Sequence, residues 1–312
     1  GTNVAVLNMM LHFIIKSKLY NADFVRDRTE GFDNFLKEIE RQDVDHLAKV
    51  AGVDKQLVKE AAIAYATARN SMEFHGLGVT EHEQGSKTVM LIADLAMITG
   101  NIGRKGVGVN PLRGQNNVQG AADMGCQPHQ GAGYFPVADE KHQEFYTEKY
   151  GVTHPTKPGL KIPQMFEAAI NKELKGLWII GEDIVQTDPN SAHVIEAMNS
   201  LELLVVQEIF MSETAKLATV VLPGTTFLEK DGTFTNTERR IQRVNRAVPP
   251  LPGTKPDGLI VTEMMQKLGF DQPTYDADQV LAEIADIVPF FKGVTRETVS
   301  YTHLTLPTTN SV

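Results

Sequence analysis

The chain has 312 residues, a formal net charge of −9 and one cysteine. The acidic balance argues against a nucleic-acid partner, because neutralising phosphates requires a basic face. No apolar run approaches the roughly 20 residues that span a bilayer. Cys126 alone can form neither an intrachain disulfide nor a four-cysteine site, so we expect a small packed side chain there and predict no metal site in this chain.

The N-terminal third is predicted to be mainly helical. Apolar residues recur at helical spacing over residues 1–19, where Asn3 is the candidate N-cap, and over residues 54–69, where Asp54 is the candidate N-cap. The apolar stripe of the second helix consists of Leu57, Val58, Ala61, Ala62 and Tyr65. Short surface helices are predicted over residues 21–30 and 33–40.

Residues 72–75 predict a short buried strand that runs into the turn Gly-Leu-Gly-Val-Thr-Glu, and a helix is predicted over residues 84–99. A strand, a glycine-rich turn and a helix in this order are typical of phosphate and nucleotide sites. A lone Gly-x-Gly pair is a weak signal, and His82 by itself is more typical of a loop histidine than of a ligand.

The most informative stretch is residues 101–133, which read NIGRKGVGVNPLRGQNNVQGAADMGCQPHQGAG. Glycines let a backbone approach a ligand closely. The amide cluster, Gln115, Asn116, Asn117 and Gln119, offers paired donors and acceptors for a polar heterocycle. Arg113 offers a planar fork that binds an oxyanion through two hydrogen bonds. We therefore predict a loop lying along a large, polar, partly anionic ligand.

Residues 135–163 are predicted to be irregular, and an α/β pattern follows. Short helices are predicted over residues 164–171 and 191–199, and buried strands over 176–180, 203–206 and 218–222. Acids follow two of these strands, and ligands of such sheets bind beyond the carboxyl ends of the strands. Polar candidates for a nucleotide at these ends are Glu182, Asp183, Thr187 and Glu208.

Residues 227–246 contain the string EKDGTFTNTERRIQR. Two interpretations stay open for it: a contact with a ligand or between domains, and an ordinary solvated basic face. Closing helices are predicted over residues 257–268 and 278–287. The final segment, 299–312, resembles translated sequencing adapter and is expected to be an artefactual tail.

The central string ITGNIGRKGVGVNPLRGQNNVQGAADMG is similar to the signature of the catalytic alpha subunit of molybdopterin-dependent formate dehydrogenases, and the resemblance extends over residues 1–296. It implies two interleaved, Rossmann-like, doubly wound α/β domains. On this basis residues 1–111 belong to the first dinucleotide-binding domain, residues 112–224 form the second, and residues 225–298 return to the first.

The resemblance also implies a bis-molybdopterin guanine dinucleotide cofactor with molybdenum or tungsten. Arg113 matches the arginine that holds formate in this family. By the same resemblance, the cofactor-binding residues are Gly78, Val79, Thr80, Glu81, Gly114, Gln115, Asn116, Gly181, Glu182, Asp183, Thr187 and Glu208. The family's 4Fe-4S cluster and selenocysteine or cysteine ligand lie upstream of this chain, which we therefore expect to be an inactive fragment by itself.

The implied partners are formate or carbon dioxide and the electron-transfer subunits of a formate dehydrogenase complex, and the expected location is cytoplasmic, with the periplasm left open. Two alternatives remain. Another bis-pterin enzyme, such as a nitrate reductase, shares the scaffold but is not expected to carry the NPLRGQNNVQG string. A metal-free relative in a respiratory complex would have no need of both Arg113 and the amide cluster.

Overall fold

The structure, a computed structural model, describes residues 1–299. Their contacts divide the chain into two compact units, of which the first is Gly1–Gln115 and the second begins at Asn116. The predicted boundary between dinucleotide domains lies nearby, at residue 111. Residues 225–298 are grouped with the second unit, whereas the sequence predicted their return to the first domain. The assignment of both units to cofactor-binding domains stays a prediction.

The first unit is mainly helical. Its elements are α1 (Asn3–Lys16), α2 (Ala22–Arg28), α3 (Phe32–Glu40), α4 (Val44–Ala51), α5 (Lys55–Thr67), β1 (Met72–His75), α6 (Leu77–Thr80), α7 (Gly85–Ile98) and β2 (Gly108–Pro111). The four predicted helices correspond to α1, α2, α3 and α5, and the predicted helix at 84–99 corresponds to α7. Helix α4 was not predicted; the Asp43 side chain caps it and Gly52, in a left-handed conformation, ends it.

The caps of the two long N-terminal helices differ from each other. Asp54 caps α5 as predicted, since its side chain accepts a hydrogen bond from the Gln56 amide at 2.8 Å. The prediction for Asn3 was wrong, because Asn3 is the first helical residue of α1 and Thr2 precedes it at the N-cap position. An asparagine inside the first turn cannot cap its own helix.

Helix α1 lies at the centre of the first core. Leu11 and Ile14 are fully buried and pack in one cluster with Ala62 of α5 and Leu95 of α7. The predicted stripe of α5 is only half right: Val58 and Ala62 are buried, but Leu57 is 64% exposed and Ala61 is also exposed. Helix α5 therefore contacts the core through a narrower face than the sequence indicated.

Strands β1 and β2 form a parallel pair in which His75 lies opposite Pro111. The prediction that β1 is buried was wrong for most of its length, since Met72 and Phe74 are exposed and only His75 is buried. Met72 and Phe74 share one face of β1, which is therefore exposed, whereas Glu73 and His75 on the other face are half-buried and buried.

The second unit combines a parallel sheet with a separate hairpin. Its elements are α8 (Val118–Asp123), α9 (Glu140–Tyr150), α10 (Ile162–Ile170), β3 (Gly176–Ile180), α11 (Ile184–Thr187), α12 (Ser191–Asn199), β4 (Leu203–Glu208), α13 (Glu213–Lys216), β5 (Val220–Pro223), β6 (Gly232–Thr235), β7 (Ile241–Val244), α14 (Asp257–Lys267) and α15 (Ala277–Ile287). Three short 3₁₀ turns complete it, at Ala132–Tyr134, Phe227–Glu229 and Pro289–Phe291.

The sheet has the order β3-β4-β5 with all three strands parallel. Helices connect successive strands, as the α/β pattern predicted. The central strand β4 is the most buried, and its Leu204 and Val206 pack with Val194 of α12. Strand β3 lies at an edge, which explains why only Ile179 of its apolar run is fully buried.

Helix α9 contradicts the prediction that residues 135–163 are irregular. Asp139 caps it by accepting a hydrogen bond from the Lys141 amide at 3.0 Å, and left-handed Gly151 ends it. The helix was missed because its sequence, EKHQEFYTEKY, is mostly polar and has no residue in the buried class. Two of its aromatic residues, Tyr146 and Tyr150, instead line a cavity of about 390 Å³ with the loops on either side.

The β6–β7 hairpin and α15 contribute to a further core cluster that contains Ile241, Leu281 and Val288. Val299, the first residue of the predicted tail, is buried in the same cluster. The rest of that tail, residues 300–312, lies outside the described residues. None of the helices in residues 1–299 combines the length and apolar character that crossing a membrane requires.

Candidate functional site

Two predicted parts of the site begin side by side in the first unit. Because β1 and β2 are parallel, the chain leaves both strands at the same edge. The Leu112 amide donates a hydrogen bond to the His75 carbonyl at 2.7 Å, and the position of a Cβ on Gly76 lies 3.8 Å from the Leu112 carbonyl oxygen. The turn after β1 and the loop that carries Arg113 therefore start in direct contact.

The turn after β1 contains the predicted residues 78–81. It forms the single-turn helix α6, on which Gly78 and Thr80 are exposed and Val79 is half-buried, and Glu81 follows, exposed. A Cβ on Gly85 would lie 2.1 Å from the Thr80 carbonyl oxygen. Only glycine therefore lets α7 start so close behind this turn.

Arg113 lies in the loop that follows β2 and is exposed. Within residues 1–299 its guanidinium forms neither a hydrogen bond nor an ion pair. Gly114 and Gln115 are exposed beside it, and no atom lies within 4 Å of the position of a Cβ on Gly114. Asn116, also exposed, is the first residue of the second unit. The loop thus presents an unengaged cation with open space at the adjacent backbone.

His75 was missed by the sequence analysis although it ends β1 at this edge. It is 7% exposed, and its Nδ1 has no hydrogen-bond partner in the described chain. Burial lowers the pKa of the imidazole below 6.5, so the ring is neutral at pH 7. The sequence did contain a signal for His75, namely its position at the end of a predicted strand and directly before a glycine-rich turn.

In the second unit, the loops after the three parallel strands also open at one edge. Gly181, which follows β3, has a φ of +66° and donates its amide hydrogen to the Gln207 carbonyl at 2.9 Å. Gly224, which follows β5, donates to the Glu208 carbonyl at 3.1 Å. The predicted residues after β3 and β4 are therefore neighbours, as their positions at strand ends predicted.

Asp183 is bound to another element of its own unit. Its Oδ1 accepts hydrogen bonds from the Thr214 hydroxyl at 2.7 Å and the Thr214 amide at 3.0 Å. Its Oδ2 accepts from the Gln186 side chain at 2.7 Å and from the Glu213 amide at 3.4 Å. Burial alone would raise the pKa of Asp183, but these hydrogen bonds outweigh burial and lower it below 3.8. The carboxylate holds the start of α13.

Glu182 and Glu208 are less engaged. One oxygen of Glu182 accepts a hydrogen bond from the Thr187 hydroxyl at 2.7 Å, and one oxygen of Glu208 accepts from the Ile209 amide at 2.7 Å. The second oxygen of each carboxylate has no hydrogen bond within the described chain. These two acids therefore keep acceptor capacity for hydroxyl or N–H groups of a ligand.

A polar network at the end of β4 was also missed. Gln207 is 1% exposed, and its Nε2 donates to Asp257 Oδ1 at 2.8 Å, while its Oε1 has no partner within residues 1–299. The Lys230 ammonium contacts the other oxygen of Asp257. A carboxamide that ends an apolar strand was the available signal for Gln207. Its partner Asp257, 50 residues further along the chain, and Lys230, which pairs with Asp257, were not visible in the sequence.

A cavity of about 300 Å³ joins this network to the amide-rich signature. Its lining includes Asn117 and Gly120 of the signature, together with Lys230 and Asp257. Thus the structure places the start of α8 and the strand-end network around one space within the second unit.

Cys126 is exposed, which corrects the prediction of a packed side chain. Cys126 directly follows a tight turn at Gly125, where φ is +74° and a Cβ would lie 2.2 Å from the carbonyl carbon of Gly131. Among residues 1–299, no group of three or more histidine, cysteine or acidic side chains has the arrangement of a metal site.

Comparison with known proteins defines the class. The profile of the molybdopterin oxidoreductase family matches residues 1–267, so the chain belongs to that family. The acetylene hydratase of Pelobacter acetylenicus has a similar fold, with a TM-score of 0.73 at 18% identity over 98% of this chain and 45% of that one. The predicted α/β fold of the molybdopterin oxidoreductases is thereby confirmed.

Relatives of higher identity have more specific names. The chain is 43% identical to the F420-dependent formate dehydrogenase subunit alpha of Methanocaldococcus jannaschii, over 95% of this chain and 44% of that protein. It is 39% identical to formate dehydrogenase H of Escherichia coli, over 95% of this chain and 42% of that protein. The chain thus spans less than half the length of these relatives.

Family membership implies a molybdopterin cofactor with molybdenum or tungsten, and the residues present fit such a group. Its phosphates require close backbone approach, which the open positions at Gly78 and Gly114 supply. Its heterocycles require hydrogen-bonding partners, and the Gln207 Oε1 atom is a buried acceptor without a partner in the described chain. Glu182 and Glu208 add acceptors suited to ribose hydroxyls.

Proposed function

We propose that the chain is part of the catalytic subunit of an enzyme that interconverts formate and carbon dioxide at a bis-molybdopterin guanine dinucleotide centre. The observation that carries the proposal is the unengaged guanidinium of Arg113, exposed at the edge of a parallel strand pair and flanked by open glycine positions. The formate dehydrogenase names of relatives at 39–43% identity support the choice of substrate.

We further propose that each unit binds one guanine dinucleotide of the cofactor. In the first unit the residues proposed to bind it are Gly78, Val79, Thr80, Glu81, Gly114 and Gln115. In the second unit they are Asn116, Gly181, Glu182, Asp183, Thr187 and Glu208, to which we add Gln207. The loops at the carboxyl ends of the parallel strands in each unit support this assignment, since nucleotides bind beyond these ends.

Formate oxidation, HCOO⁻ → CO₂ + H⁺ + 2e⁻, requires an electron acceptor and a group that holds the carboxylate. The molybdenum or tungsten cofactor supplies the acceptor. Arg113 binds the carboxylate through two parallel N–H···O contacts, which fixes the direction of the C–H bond and keeps the anion in the site. A lysine would act as a point charge and leave this direction undefined.

Arg113 also distinguishes formate from neutral one-carbon molecules, because its charge needs an anionic partner. Carbon dioxide has no net charge, so the product loses the ion pair on which formate binding depends. The same residue thereby favours binding of the substrate and release of the product.

The electrons leave through partner subunits and a 4Fe-4S cluster, which we propose for the whole enzyme and not for this chain. The word "subunit" in the name of the Methanocaldococcus relative supports the existence of partners. The cytoplasmic location stays a prediction.

The proposal is tested on the full-length protein, produced without oxygen in a host that makes molybdopterin. We expect molybdenum or tungsten in the purified protein, two guanine nucleotides released per metal atom, and formate-dependent reduction of a viologen dye. Reduction of nitrate without oxidation of formate would instead identify a nitrate reductase. A protein that binds no metal and releases no guanine nucleotide would identify a metal-free relative and overturn the proposal.

A further inference from the structure

Backbone strain is concentrated at one place in the second unit. Six described non-glycine residues have a positive φ, namely Lys18, Asn117, Tyr134, Lys172, Asn190 and Arg239. Of these six, Asn117 directly precedes α8, the helix that ends at Asp123. Tyr134 ends the 3₁₀ turn Ala132–Tyr134, Arg239 lies in the turn between β6 and β7, and both contact Asp123. Left-handed non-glycine residues are unfavourable unless the surrounding structure holds them in place, so their grouping here indicates a role for the segments that carry them.

Asp123 is the centre of the group and is fully buried. Its Oδ1 accepts hydrogen bonds from the Tyr134 hydroxyl at 2.6 Å and from the side-chain Nε2 of Gln119 at 2.9 Å. Arg239 Nη1 lies 3.7 Å from the same oxygen. Burial, followed by the hydrogen bond to Asp123, raises the pKa of Tyr134, so the phenol stays a hydrogen-bond donor.

Arg239 occupies a turn position that suits glycine or asparagine better. In the turn between β6 and β7, the Arg239 amide donates to the Asn236 carbonyl at 2.9 Å, and φ at Arg239 is +62°. The guanidinium carbon lies 6.0 Å from the centre of the Tyr134 ring. An arginine here is explained by its side chain, which reaches both Tyr134 and Asp123.

The network is not optimised for stability. Asp123 Oδ2 and Arg239 Nη1 are both buried and have no hydrogen-bond partner within residues 1–299, although their side chains face each other. Buried charges that are incompletely paired contribute little or nothing to folding free energy. The strained backbone and the incomplete pairing together indicate that this group serves to position the segments that it connects.

The segment that is placed is the start of α8. Asn117 Oδ1 accepts a hydrogen bond from the Thr235 amide at 2.9 Å, which fastens the residue before α8 to β6. A Cβ on Gly120 would lie 2.1 Å from Asn117 Oδ1, so the helix begins in close contact with that amide. A side-chain hydrogen bond between Gln119 and Asp123, four residues apart, connects the start of this helix to its end.

We propose that Asp123 is a positioning residue which, with Tyr134 and Arg239, clamps residues 116–120 of the signature in the conformation that contacts the cofactor. The cofactor contact rests on the proposed function, because Asn116, directly before the clamped segment, is one of the residues proposed to bind it. The clamp itself rests only on contacts within the second unit.

The test uses the full-length protein with Asp123→Asn and Tyr134→Phe. Two measurements are made: hydrogen–deuterium exchange of the peptide that contains residues 116–123, and the rate at which guanine nucleotide is lost from the purified protein. We expect both rates to rise about 10-fold in each variant, by analogy with the lower end of the loss of metal affinity or activity when groups that orient a metal's ligands are removed. Arg239→Lys, which keeps the charge, is expected to restrain the segment better than Arg239→Gln.

Matched controls separate placement from general destabilisation. Glu229→Gln removes the charge of another buried carboxylate of the same unit, which binds Thr226 and Leu251 instead of α8. Tyr150→Phe removes a hydroxyl that donates to Glu283 Oε1 at 2.9 Å, a contact that involves neither α8 nor the 3₁₀ turn with Tyr134. We expect both controls to leave exchange of residues 116–123 unchanged.

Unchanged exchange in Tyr134→Phe and Arg239→Gln would overturn the clamp, even if Asp123→Asn does not fold. Faster exchange with normal nucleotide retention would overturn the link to the cofactor. If the wild-type protein contains no guanine nucleotide, the proposed function fails, and the exchange comparison still decides whether the clamp exists.

Discussion

The two strand edges use their polar groups in opposite ways. At the β1–β2 edge of the first unit, Arg113 has no internal partner among residues 1–299. At the β3–β4–β5 edge of the second unit, Asp183 accepts four hydrogen bonds and Gln207 is joined to Asp257. The same sequence pattern, a polar residue at the end of a strand, thus has two outcomes. In the first unit the side chain is free to bind a ligand, and in the second unit it is hydrogen-bonded to other elements of the fold.

This difference separates two kinds of loss on mutation. Removing an unengaged surface group changes binding and leaves the folding free energy almost untouched. Removing a group that satisfies buried or semi-buried partners leaves those partners unpaired and destabilises the fold. Each of the following predictions contrasts these two outcomes.

The largest effect is expected for Arg113→Lys in the full-length enzyme. Loss of the bidentate contact with the carboxylate should lower kcat/KM for formate about 100-fold, the range for removal of one aligned donor from an active site. Metal and nucleotide content should be normal, since the other cofactor contacts remain.

The control for this variant is Arg28→Lys, an exposed arginine of the same unit that is outside the proposed site. It should leave formate kinetics unchanged. Wild-type kinetics for Arg113→Lys would remove this arginine from the site, and the contrast between the two edges would lose its functional meaning.

Gly85→Ala should destabilise the first unit by about 1–3 kcal/mol, the usual cost of overpacking. Its Cβ would collide with the Thr80 backbone, and the predicted cofactor turn would have to move. Gly78→Ala is the matched variant, because no atom lies within 4 Å of its Cβ position. We expect a normal melting temperature for Gly78→Ala. Equal melting temperatures for the two variants would contradict the close packing of α7 behind the turn.

Asp183→Asn should destabilise the second unit by about 1–3 kcal/mol, because the amide cannot accept all four hydrogen bonds. Its neighbour Glu182 accepts one exposed hydrogen bond, so Glu182→Gln should change the melting temperature little. The pKa of Asp183 is below 3.8, so its contribution is present above pH 3.8 and lost as pH falls through the lower, folded-state value. Melting temperatures at pH 7 and at about pH 2 measure this. An equal loss at pH 7 for Asp183→Asn and Glu182→Gln would show that the two acids do not differ.

The smallest effect is expected from His75. Burial lowers its pKa below 6.5, so protonation favours the unfolded state. Its contribution is complete above pH 6.5 and is lost as pH falls through the folded-state pKa. His75→Phe should therefore reduce the drop in melting temperature between pH 7.5 and pH 5.5, and an identical drop in both proteins would contradict a buried, neutral imidazole.

The sequence located most elements because hydrophobic periodicity is local. Helix α12 has the predicted bounds, residues 191–199, and β3 has the predicted bounds, 176–180. Helices α4 and α9 were missed since neither has a residue in the buried class, and a polar helix has no core-facing stripe to recognise. Their Asp caps and Gly ends were the remaining local signals.

The candidate site could be predicted only as positions along the chain. Strand ends and glycine turns identified Gly78, Arg113 and Asp183 as candidates. The partnership of Asp183 with Thr214, 31 residues away, depends on tertiary packing and has no local signature. The clamp likewise has no local signature, because Asp123 and Arg239 belong to two motifs that are far apart in the sequence.

The exposed face of β1 has a practical consequence. Phe74 is 62% exposed and Met72 is 43% exposed, on a sheet with two strands in the described chain. Open strand edges beside apolar side chains favour pairing with further copies of the same chain. When this polypeptide is produced by itself, we expect concentration-dependent self-association through β1, so dilute conditions or a lysine at position 74 should keep it monomeric.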